Sequence, residues 1–93
     1  MTTPQWRHTT PLDIQPADRS VLDRAEGVLI MLRRYEPQAA FTELVGASRR
    51  HGVPVFALAG ALLEMTCGPA GVPATVPEDA RRAAQQEWAR LLP

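Results

Sequence analysis

Two arginine pairs, Arg33-Arg34 and Arg49-Arg50, the second followed by His51, are the residues of this chain best suited to gripping a ligand. A guanidinium is a planar fork of donors that matches phosphate oxygens, and its face stacks on splayed bases. Both pairs stand at the ends of helical patterns, where cations also complement the helix dipole by about 0.3–1 kcal/mol each. The two roles are compatible, because an arginine that caps a dipole still reaches outward. Catalytic chemistry has less to stand on. His8 and His51 have no sequence-adjacent acid, nucleophile or metal-ligand spacing, and Asp23 with Glu26 is a carboxylate pair of the sort helix surfaces carry routinely. Cys67, before Gly68-Pro69, reads as a small packed hydrophobe, and no glycine-rich phosphate loop occurs. The chain is not expected to be an enzyme, and neither a cofactor nor a metal is expected.

Composition narrows the partners. The 93 residues carry ten cationic and ten anionic side chains, so the formal charge is zero. Strong non-specific binding to nucleic acid comes from neutralising phosphates, so any such contact here is expected to be local. All the cations are arginine and lysine is absent, which suits phosphate forks and also fits the coding bias of a GC-rich genome. No apolar run is long enough to span a bilayer, and "MTTPQWRHTTPLD" lacks the basic flank and apolar core of a secretory signal. A cytoplasmic location is expected. One cysteine and no zinc spacing leave a small core without a staple, and a homodimer would supply the missing burial.

The elements that position the arginines follow from periodicity. Residues 1–16, with prolines at 4, 11 and 16, read as an irregular arm. From Ala17, the residues Val21, Ala25, Val28, Leu29 and Leu32 recur at helical spacing to about Tyr35. Pro37 opens a second helix with inner residues Ala40, Phe41, Leu44, Val45 and Ser48, ending at Gly52. Pro54 opens a third, with Val55, Leu58, Ala59, Leu62 and Leu63 inward and Gly68 as its stop. Residues 69–76 read as a linker. Pro77 with Glu78 and Asp79 then opens a C-terminal helix over 77–93, with Ala80, Ala84, Trp88 and Leu91 or Leu92 on its apolar edge. That helix is free to pack on its own bundle or on a second subunit. The fold class is all-α: three helices over 17–68 and an additional C-terminal helix.

Three blocks in this order carry a resemblance. "AEGVLIM" at 25–31, "AAFTELVGAS" at 39–48 and "GVPVFALAGALLEM" at 52–65 resemble the ANTAR family, RNA-binding modules of bacterial transcription antitermination regulators. The resemblance covers about residues 17–66. It implies a small helical bundle that, as a dimer, binds paired RNA hairpins in leader transcripts so that a terminator cannot form. In the family this module usually stands behind a receiver or sensor domain, for which 93 residues leave no room, so control is expected to come from a partner protein or from the chain's own abundance. On this reading Arg33, Arg34, Arg49 and Arg50 hold the RNA. Gly27 takes a packing role: with only methyls at Ala25, Ala40 and Ala47, the first two helices approach closely.

Three exchanges support a second reading. Glu26 stands where that pattern usually has lysine, Val45 and Gly46 where it commonly has arginine, and Phe56 and Ala57 where it has a polar pair. Asp23 and Glu26, three apart, form a negative field that repels phosphate. The alternative is a helical protein-interaction or dimerisation module of the same fold that has lost RNA binding. Its contact residues would be Ile30, Met31 and Phe56 as an exposed apolar patch, joined by Trp88.

Overall fold

The structure, a computed structural model, describes residues 16–68 and 75–92. The arm over 1–15, with His8, and the linker residues 69–74 lie outside the described residues. The described residues form four helices, α1 (Pro16–Arg33), α2 (Pro37–His51), α3 (Val55–Cys67) and α4 (Glu78–Trp88), the last followed by a 3-10 turn over Ala89–Leu91. The fold is a small all-α bundle.

Prolines and left-handed residues set the helix boundaries. Pro16 and Pro37 occupy first helical turns, where a missing N–H costs nothing, and Pro54 and Pro77 are the extended residues before α3 and α4. Gly52 closes α2 with φ 67°, its N–H donating to the Ser48 carbonyl, and the Ser48 hydroxyl donates to the Val53 carbonyl. α1 stops earlier than its periodicity suggests, at Arg33. Arg34 turns left-handed at φ 59° with its N–H on the Ile30 carbonyl, a geometry that ends a helix.

α3 is the centre, and α1, α2 and α4 all pack on it. Six consecutive residues, Leu58 to Leu63, are buried, which happens only when a helix is covered on every side. Val21, Ala25 and Leu29 meet it from α1, Ala40, Leu44 and Ala47 from α2, and Ala80, Ala83, Ala84 and Trp88 from α4. The alanines let backbones approach and the leucines fill the space between, each fully buried leucine adding about 1.5–3 kcal/mol. α4 thus packs on its own chain. Phe41, expected inside, is 46% exposed, because Ala40, Leu44 and Ala47 form the buried row and Phe41 stands about 100° round the helix from Ala40.

Gly27 corrects an expectation. Among the described residues, a β-carbon there would meet no atom within 4 Å beyond its own stretch of helix, so close helix packing does not explain this glycine. It lies about 200° round the helix from Ala25, behind the row that Val21, Ala25 and Leu29 bury. Ala25, Ala40 and Ala47, the small residues paired with it in that expectation, are each fully buried. With open space at 27, Gly27→Ala should raise stability by about 0.5–1 kcal/mol in a denaturant titration. A loss of stability would show that the site is tighter than its geometry.

Candidate functional site

The four arginines divide into two held and two free. Arg33 is held: its Nη2 donates to Glu43 at 2.9 Å, and its side chain is 30% exposed. Arg50 donates from Nη2 and Nε to the two oxygens of Glu87 at 2.8 and 3.2 Å. Arg34 and Arg49 are exposed and make no ion pair among the described residues. These two remain available for an external anion.

Glu43 explains why Arg33 is held. Its carboxylate accepts from Arg33, from the Tyr35 hydroxyl at 2.8 Å and from the Trp88 indole N–H at 2.6 Å, tying α1, α2 and α4 together. Burial pushes this carboxyl upward, but the three donors outweigh it and hold the group below the usual carboxylate range. Tyr35 is raised by burial first and by its bond to Glu43 second, so it stays a protonated donor. Glu87 plays the equivalent part at the other end of α2. Its carboxyl is lowered chiefly by Arg50, against burial, with His51 Nε2 adding a contact at 2.8 Å. The guanidinium lies close over Gly46, where a β-carbon would come 3.3 Å from Arg50 Nη1. A third pair joins Arg81 of α4 to Glu64 of α3 at 2.6 Å.

The apolar residues do not form one patch. Trp88 is fully buried against the core with its indole bonded to Glu43, so it is a core anchor and not the surface contact expected from sequence. Ile30 is partly buried and packs on the core. Met31, 78% exposed, lines an open apolar groove with Val28, Leu32, Met65, Thr66 and Leu92. Phe56 lines a separate recess with Arg19, Leu22, Asp23, Glu26 and Phe41. Cys67 is exposed rather than packed, because it falls outside the buried run of α3.

Sequence reasoning missed Glu43, Glu87 and Tyr35. Nothing local marks them, since Trp88 lies 45 positions from Glu43 and Arg50 lies 37 from Glu87. The one available signal was a lone acid on the mostly apolar second helix. Among the described residues, no group of three His, Cys, Asp or Glu side chains is placed to hold a metal ion. No described helix is long and apolar enough to cross a membrane.

Comparison with known proteins returns one match. The model of the ANTAR domain family matches residues 12–63, more than half of the chain, taking in α1, α2 and most of α3 and leaving α4 outside. No curated protein and no solved structure matches.

Proposed function

Because the chain belongs to the ANTAR family, a family of RNA-binding antitermination regulators, we propose that it regulates transcription by binding RNA hairpins in leader transcripts, through Arg34 and Arg49 first. Arg33 and Arg50 join only where phosphate competes with their carboxylates. The mechanism is binding without a chemical step, and the protein acts in the cytoplasm as a homodimer, its signal supplied by a sensor partner.

The observation that carries the choice of residues is Arg34. A left-handed residue closing a helix is usually glycine, and a side-chain-bearing residue there costs roughly 1 kcal/mol. The chain bears that strain to keep an exposed cation beside the end of α1, and strained positions of this kind cluster at functional sites. Arg34→Gly separates the two roles. It should leave the melting temperature unchanged or higher, while the salt dependence of binding to a paired-hairpin RNA falls by about one phosphate contact in a gel-shift titration. Binding that is absent at every salt concentration, or a slope that Arg34→Gly leaves intact, overturns the assignment.

Met31 favours the second reading, a dimerisation module without RNA contact. A large side chain at 78% exposure over an apolar groove is the mark of a protein contact. Under it, hairpin affinity is negligible, and Met31→Ser weakens self-association in sedimentation experiments.

A further inference from the structure

The recess that Phe56 enters lies between the first half of α1 and the beginnings of α2 and α3, with a volume of about 320 Å³. Two phenyl rings, Phe41 and Phe56, and the Leu22 side chain form its apolar lining, and the carboxylates of Asp23 and Glu26 stand on its α1 side. We propose that this recess is a docking site for an arginine side chain presented by a basic segment of a partner protein.

Charge complementarity selects that occupant. Glu43, Glu64 and Glu87 each have an arginine within 3.0 Å, whereas Asp23 and Glu26 have no ion pair among the described residues. Arg19 also lines the recess without pairing to either, so one negative charge is left over in a half-enclosed place. Burial raises the Glu26 carboxyl above its ordinary value, and the like charge of Asp23 raises it further. The charge of an incoming cation acts against both, because it favours the ionised carboxylates. The faces of phenyl rings attract cations as well, and Phe41, at 46% exposure, presents an apolar side chain to the recess. A guanidinium satisfies the rings and the carboxylates together, because it stacks flat and forks toward oxygen. Phosphate fits neither. The site is independent of the RNA-binding reading, since Arg34 and Arg49 take no part in it.

A tri-arginine amide peptide titrated into the full 93-residue chain, followed by amide NMR shifts, tests this directly. The expected result is a saturable response at Leu22, Asp23, Glu26, Phe41 and Phe56, with none for the uncharged tri-citrulline analogue. Glu26→Gln and Phe41→Leu should each weaken the peptide by about fivefold. Thermal melts of both variants establish that they remain folded, and Glu26→Gln removes a repulsion, so it is expected to fold well. Equal responses to the two peptides, or no saturation at millimolar concentration, overturns the proposal. So does a response spread over Glu43, Glu64 and Glu87, self-association that fills the recess without peptide, or a hairpin RNA that shifts these residues when the peptide does not.

Discussion

Trp88→Ala is expected to lower stability by about 3–5 kcal/mol. The indole is fully buried where α4 meets α2 and α3, and its N–H has one acceptor, Glu43. Truncation leaves a cavity lined by the core and removes a donor from a charged acceptor, so two penalties act together. At about 4–8 °C per kcal/mol for a domain of this size, the melting temperature followed by circular dichroism should fall by more than about 12 °C. A change within about 1 kcal/mol would mean that α4 is not docked as described.

Glu43→Ala should cost about 2–3 kcal/mol, since hydrogen bonds to a charged group contribute about 1.5–3 kcal/mol and three donors lose their acceptor at once. Among the described residues the buried Arg33 Nε has no partner, so Glu43 is the main support of its guanidinium there. The combined Trp88→Ala and Glu43→Ala variant should be less destabilised than the sum, because the two share one bond. Full additivity in denaturant melts would show that the indole and carboxylate act separately.

The same carboxylate gives a pH dependence. Glu43 and Glu87 are lowered from an ordinary value of 4.5, so their folded forms release protons more readily than the unfolded chain. Their stabilisation is complete above that value and is lost as pH falls from about 4.5 through the lowered folded values. Glu26, raised in the folded state, has the opposite sign and recovers a little stability as it protonates. In Glu43→Ala the acid-side loss should be shallower than in the parent chain.

These effects also mark where reading the sequence stops. Pro37, Pro54 and Gly52 announce helix boundaries because each acts through its own backbone dihedrals, and their roles hold without knowledge of any neighbour. The period of Val21, Ala25 and Leu29 points one face inward for the same reason. Gly27 misled because a missing side chain has two explanations, close approach and open space, and only the neighbouring helix distinguishes them. Trp88 misled in the same way, since an apolar edge on a terminal helix fits a partner surface as well as a core.

The arginines show the division most sharply. Their type, their number and their places at helix ends are properties of the chain itself, and the three blocks over 25–65 point to the family whose model matches residues 12–63. Sequence alone therefore determined an all-α bundle and a set of candidate cations, because helix period and turn chemistry are local. The tertiary structure decided which cations are free. Glu43 and Glu87 reach Arg33 and Arg50 across the packing of α1, α2 and α4, leaving Arg34 and Arg49 outward. It also gathered Asp23, Glu26, Phe41 and Phe56 into one recess from three helices. Charge pairing depends on distances between elements, and those distances exist only once α3 has drawn the other three helices around itself.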